Sequence, residues 1–211
     1  MKRTRSQAGR MARHKGDNYE RYIAKLLTEK LGIEVKRRGF ETGKGRVKPP
    51  DLEFPQSYSR FDSTIDPNTG QWILNGGIEC KKVQSWSIDN LIKGKGELSN
   101  WIEEYTTKYG STEKFILIFS KNHYPDMVLI DNNNIADYYF DWQIYFKLVT
   151  EDKGVTGLTI LKLDEFLNNV EKEFFNINHE KIKNINNSND IILPFYQEGP
   201  PHSSCPLEKK Y

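Results

Sequence analysis

Gly76-Gly77-Ile78-Glu79-Cys80-Lys81-Lys82 decides how the rest of this chain is read. It has the character of a buried strand. Successive side chains on a strand alternate faces, so Glu79 and Lys81 point to one side and Cys80 and Lys82 to the other. A carboxylate and an ammonium in an apolar strand are costly to bury and need a reason to be there. Ile78, Val83 and the preceding Trp72-Ile73-Leu74 argue for a central position in a sheet. Upstream, Lys48-Pro49-Pro50-Asp51-Leu52-Glu53-Phe54 reads as a second short strand, stiffened at its start by two prolines and headed by an acid. Two carboxylates able to share a hard divalent cation, with a lysine beside them, are the parts that hydrolyse a phosphodiester. The cation takes oxygen ligands and activates a water, and the lysine orients that water or neutralises charge developing on the phosphate.

Outward from this pair, the pattern predicts a helix from Asp17 to Leu31. Tyr22, Ile23, Leu26 and Leu27 fall at helical spacing, Asp17 or Asn18 can cap the start, and Gly32 closes the end. A first strand covers Ile33 to Lys36, and Gly39 to Lys48 reads as a loop. The turn signal Asp66-Pro67-Asn68-Thr69-Gly70 ends a long connection to the Glu79 strand. A meander would set Asp51 beside Glu79, although Glu53, Asp62 and Asp66 are also upstream acids that could meet it. Ile88 to Lys108 reads as a helix that Gly94 and Gly96 can split. Phe115 to Phe119 is the strongest buried strand, with Met127 to Ile130 its partner. Ile144 to Val149 and Leu158 to Leu163 form a further strand or hairpin, and Asp164 to Phe175 a helix. The expected organisation is a flexible basic arm over 1–15, a domain over 16–175 and a polar tail over 176–211.

The 211 residues suit one domain with extensions. No apolar run approaches a membrane span and no signal peptide is visible, so a soluble cytoplasmic protein is expected. Two cysteines, Cys80 and Cys205, exclude a disulfide framework, and the four histidines show no metal-ligand spacing. Cys80 reads as a small buried apolar residue rather than a nucleophile. Net charge is only +2, but the basic residues are concentrated in the amino-terminal quarter. Lys15, Arg37, Arg38, Lys44 and Arg46 flank the acidic motif, which marks them as candidates for a phosphate backbone. Phe140, Trp142, Tyr145 and Phe146 either fill the core or serve an interface.

Pro50-Asp51 and Glu79-Cys80-Lys81, preceded by an acid at Glu20 on an amphipathic helix, resemble the PD-(D/E)xK nuclease superfamily. Within it, Lys15-Gly16-Asp17-Asn18-Tyr19-Glu20-Arg21 is similar to the opening of the first helix in archaeal and phage Holliday junction resolvases. The resemblance spans about 15–130. It implies an α/β restriction-endonuclease-like core, a central mixed sheet flanked by helices. It also implies a catalytic set of Glu20, Asp51, Glu79 and Lys81. Asp51, Glu79 and the backbone carbonyl of Cys80 would hold Mg²⁺, with Mn²⁺ able to substitute. The implied partners are branched four-way DNA and a second copy of the chain in a homodimer. Taken alone, Glu20 reads first as an exposed helix glutamate paired with Lys25 or Arg21, and it is the motif context that makes it a catalytic carboxylate. Another endonuclease of the superfamily, or a DNA-binding module without catalysis, are the alternative functions.

Overall fold

The computed structural model describes residues 5–38, 48–149 and 155–176. Lys44, Arg46 and the tail beyond Asn176 lie outside the described residues.

Helix α1 runs from Arg5 to Leu31. The stretch expected as a flexible arm is therefore helical from Arg5 onward. It carries arginine and alanine, both good helix formers, and holds no proline, so nothing in it stops a helix. Asp17 and Asn18 lie inside α1 and cap nothing: Asp17 accepts from Arg37, and Asn18 accepts from Arg21. The other end is as expected, with Gly32 at φ +67 donating its N–H to the Thr28 carbonyl.

Two small antiparallel ladders follow. β1 (Lys36–Arg37) pairs with β2 (Leu52–Glu53), and β3 (Thr64–Ile65) pairs with β4 (Trp72–Ile73) around the Asp66–Gly70 turn. The main sheet is built from β5 (Gly77–Val83), β6 (Phe115–Lys121), β7 (Met127–Asp131), β8 (Gln143–Val149) and β9 (Val155–Lys162). Its order is β5-β6-β7-β9-β8; β5 and β6 are parallel and the other pairs antiparallel. This is the expected mixed central sheet.

Two expectations are corrected here. β5 is an end strand, not a central one, and neither small ladder joins the sheet as a meander. The outer edge of β5 is instead met by a side chain, as Asp51 Oδ2 accepts from the Cys80 N–H at 2.9 Å. β5 reads as central in sequence because helices cover both of its faces.

Alternation in the strands separates two cores. Ile78, Cys80, Ile116, Ile118, Val128 and Ile130 pack against Tyr19, Ile23 and Leu27 of α1 and against α5 (Leu163–Asn169). Phe115, Leu117, Phe119, Met127 and Leu129 pack against Leu98, Trp101, Ile102, Tyr105 and Tyr109 of α3 (Gly96–Tyr109). Each such side chain contributes roughly 1.5–3 kcal/mol by leaving water. The Ile88–Lys108 helix is divided as expected. α2 (Ile88–Ile92) precedes α3, and Gly94 between them and Gly96 at the start of α3 adopt positive φ. Between β7 and β8 lies a single turn, α4 (Asn132–Ile135).

Candidate active site

Strand alternation sends Glu79 and Lys81 to the α3 face of β5. Glu79 is 1% exposed. Its Oε1 accepts from Lys108 Nζ at 2.5 Å and from the Tyr109 hydroxyl at 2.6 Å. Both donors come from the last turn of α3. Burial, and then the nearby Asp51 carboxylate, push the Glu79 carboxyl up to about 7, against the pull of Lys108 and Tyr109. Tyr109 can reach Glu79 only because position 77 is glycine: a Cβ there would run into the Tyr109 hydroxyl and come within 2.8 Å of Pro50 Cβ.

Asp51, 4% exposed, stands at the head of β2. Its Oδ2 holds the Cys80 N–H and its Oδ1 accepts from Lys48 Nζ at 2.7 Å. Burial alone would lower the Lys48 ammonium, but Asp51, with Glu79 and Glu20, outweighs it and the net movement is upward. Glu20 projects from α1. Its Oε2 accepts from Arg37 Nε at 2.6 Å, and the other side of that guanidinium meets Asp17 at 2.6 Å. Burial and then Asp51 raise the Glu20 carboxyl, opposed by Arg37. Burial pushes the Cys80 thiol well up, and Asp51, Glu20 and Glu79 all add to that. Three carboxylates from three separate elements thus bear on one residue of β5. Lys81 is half-buried with its Nζ 5.3 Å from the Tyr105 ring centroid, and among the described residues it has no hydrogen-bond or ion-pair partner.

The other upstream acids go elsewhere. Glu53 is exposed and 4.0 Å from Arg38. Asp62 is buried, accepting from Arg38 Nη2 at 2.8 Å and from the Phe54 and Ser63 N–H groups. Asp66 stays exposed in its turn, accepting from Asn68 and Thr69.

Two phosphate candidates are corrected by their surroundings. Arg38 is buried against Asp62 and lies over the Trp72 ring at 4.6 Å, so it braces the fold. Arg37 is held by two carboxylates and orients Glu20. Lys15 remains near the surface, donating to Asn122 Oδ1 at 3.0 Å. The aromatic stretch divides: Phe140 is in the core, whereas Trp142 and Tyr145 are exposed.

Lys48, Lys108 and Tyr109 are the members of this cluster that the sequence reading missed. Lys48 did carry a signal, three residues before Asp51 across two prolines. Tyr105 and Tyr109 lie on the apolar stripe of α3 with Lys108 at its border, a polar-tipped edge that reads as ordinary core.

Among the described residues no three His, Cys, Asp or Glu side chains form a metal cage by themselves. Mg²⁺ does not require one, since it keeps several waters and takes one or two carboxylates. Asp51 and Glu79 supply hard oxygens, Asp51 close enough to oppose the ionisation of Glu79, and each carries an ammonium, Lys48 or Lys108, in the place where a cation's charge is needed. The donor set therefore fits a small divalent cation.

A mixed sheet between helices, with Pro50-Asp51 beside a strand carrying Glu79-Cys80-Lys81, is the arrangement of a PD-(D/E)xK nuclease. A family profile described as "Phage putative PDDEXK endonuclease" matches residues 11–176, and the chain belongs to that family. It is therefore a nuclease, and its substrate is DNA. The match reaches past residue 131 and covers β8, β9 and α5. No curated protein and no solved structure matches the chain. Among the described residues no helix is long and apolar enough to cross a membrane.

Proposed function

We propose that this nuclease is a divalent-metal-dependent, structure-selective endonuclease that cuts four-way DNA junctions as a symmetric homodimer. The observation that supports the hydrolytic part is the convergence of Glu20, Asp51 and Glu79 around Cys80, with Lys81 on the Glu79 face. Asp51, Glu79 and the Cys80 carbonyl would hold Mg²⁺ or Mn²⁺, with Glu20 completing the site directly or through water. Such an ion, when bound, supplies Lewis acidity and an acidified water.

The remaining chemistry belongs to the chain's own groups. Lys108 and Tyr109 fix the Glu79 carboxylate, Lys48 fixes Asp51, and Arg37 fixes Glu20, so the oxygen donors are arranged before DNA arrives. Lys81, without an acid of its own among the described residues, is free to stabilise the negative charge that develops on the phosphate oxygens.

Junction selectivity is supported by the resolvase-like segment around Lys15 and Glu20, in the middle of α1. It is also supported by basic residues that would contact the phosphate backbone, which positions DNA without reading its sequence. Lys15 is the described candidate for that role. Two matched cuts in a nearly two-fold junction call for two sites related by the same axis, which a homodimer supplies.

The test is cleavage of a labelled four-way junction and of a matched linear duplex, in Mg²⁺ or EDTA, by the wild-type chain and by Glu79→Gln. Paired symmetric cuts in the junction, absent in EDTA and in the variant, are expected. Equal cutting of the linear duplex would remove the junction selectivity and leave another endonuclease of the superfamily. Binding without metal-dependent cutting would remove the catalytic assignment.

A further inference from the structure

On the α3 face of the main sheet, beyond the C-terminal ends of β5 and β6, lies an open groove of about 520 Å³, within the range of ligand-sized sites. Trp86, Tyr124 and Trp142 line it, Trp86 and Tyr124 in edge-on contact with each other. Tyr124 is 53% exposed and Trp142 37%. Lysines accompany them: Lys121 Nζ is 3.8 Å from the Tyr124 ring centroid and 4.6 Å from that of Trp86, and Lys162 Nζ is 5.7 Å from Trp142.

The rings are held in place. Trp86 packs edge-on against Phe119 at 5.1 Å and against Tyr124 at 5.8 Å. Lys121 donates to the Trp86 carbonyl at 3.4 Å, and the backbone N–H of Trp142 donates to Glu165 at 3.0 Å. The acid in the lining is Asp89, which is exposed, against two lysines, so the groove favours an anion.

Register ties the groove to the candidate active site. Lys81 pairs with Phe119 and Val83 with Lys121 in the parallel β5–β6 ladder. Lys121 points to the same face as Glu79 and Lys81, roughly 7 Å along the strand from the Lys81 row at the usual rise per residue. Exposed aromatic faces interleaved with cations are the means by which proteins hold unpaired nucleotides. Stacking takes any base, and the cations take the phosphates.

We infer that the Trp86–Tyr124–Trp142 groove, with Lys121 and Lys162, binds an unpaired stretch of DNA strand continuous with the strand at the Glu79–Lys81 site. The inference rests on the nuclease reading of that site for its DNA substrate, and it adds a preference for DNA in which a few bases are unstacked next to the cut.

The test is binding of fluorescein-labelled oligo(dT) and of a blunt hairpin duplex in EDTA, by wild type, Tyr124→Ala and Trp142→Ala. Both side chains are exposed, and the fold of each variant is checked by its thermal transition. Each variant is expected to bind oligo(dT) roughly 5- to 150-fold more weakly, the range for loss of one stacked base, with duplex binding changed less than about twofold. A third variant, Lys162→Gln, should reduce the slope of log affinity against log salt for oligo(dT) by about 0.7. Unchanged oligo(dT) binding in both aromatic variants would overturn the inference, as would equal losses for duplex and single strand, including the case where the groove serves a protein partner. Because binding is read without metal, a chain that fails to cut DNA but loses oligo(dT) affinity on Trp142→Ala would refute the catalytic reading and keep the groove.

Discussion

Glu79→Gln should change the pH dependence of stability in a direction that distinguishes a buried, strained carboxyl from an ordinary ion pair. The glutamine preserves shape and can still accept from Lys108 and Tyr109, but it cannot ionise. In the wild-type fold, burial and Asp51 push Glu79 from its ordinary 4.5 up to about 7. Between those values the unfolded chain has released its proton while the folded chain still holds it. Stability therefore falls with rising pH over that window, by about 1.4 kcal/mol per pH unit, and levels off above 7. The total is about 3 kcal/mol, lost as pH rises from about 4.5 through about 7. Glutamine imitates the protonated acid, so the variant and the wild type should be equally stable near pH 4.5, and the variant should exceed the wild type by up to about 3 kcal/mol at pH 8. Urea unfolding at half-unit pH intervals in EDTA gives the difference curve. A curve that is flat, or that runs in the opposite sense with the wild type gaining on the variant as pH rises, would refute the assignment of Glu79 as a carboxylate held against its own charge.

Gly77→Ala places a methyl against the Tyr109 hydroxyl and Pro50, so it should cost about 1–3 kcal/mol by overpacking and lower the thermal midpoint by roughly 2–4 °C per kcal/mol. Calorimetry reads the midpoint, and cleavage should fall with it as Glu79 loses its tyrosine. Arg38→Ala strands the buried Asp62 carboxylate and should destabilise the fold by about 3–5 kcal/mol in urea. Lys15→Ala should leave the urea midpoint in place and weaken DNA binding, a contrast that separates a bracing arginine from a backbone contact. Arg37→Gln removes the charge that opposes the rise of the Glu20 carboxyl. The acid limb of the cleavage rate against pH should therefore move to higher pH, and an unmoved limb would show that Glu20 ionisation is not required.

Much of this was legible in the sequence because strands and acids announce themselves locally. The apolar run at Phe115–Phe119 is buried throughout in β6, and alternation alone put Glu79 and Lys81 on one face, as found. The split at Gly94 and Gly96 followed from glycine's access to positive φ. What escaped depends on contacts between distant segments. Lys108 and Tyr109 stand 29 and 30 residues from Glu79, and their local pattern is that of a helix stripe. Arg37 and Arg38 are adjacent and equally basic, yet they are bound to different acids that only the fold brings near, Arg37 to Asp17 and Glu20 and Arg38 to Asp62, so a cluster of basic residues in sequence became a set of internal ion pairs. The position of β5 at the sheet's end was masked because both faces are covered and its edge is met by the Asp51 side chain, which gives an end strand the composition of a central one.

The central claim is that Asp51 and Glu79 hold the cation while Lys81 acts on the phosphate. It is tested most directly by single-turnover cleavage of DNA with Mg²⁺ by wild type and Lys81→Met, with Mn²⁺ affinity measured on both proteins. The account predicts cutting by the wild type in metal alone. It predicts a loss of at least roughly a hundredfold in the variant, the scale for removing one preorganised charge-stabilising group, at unchanged Mn²⁺ affinity. Cutting by Lys81→Met at the wild-type rate, or by the wild type in EDTA, would contradict it.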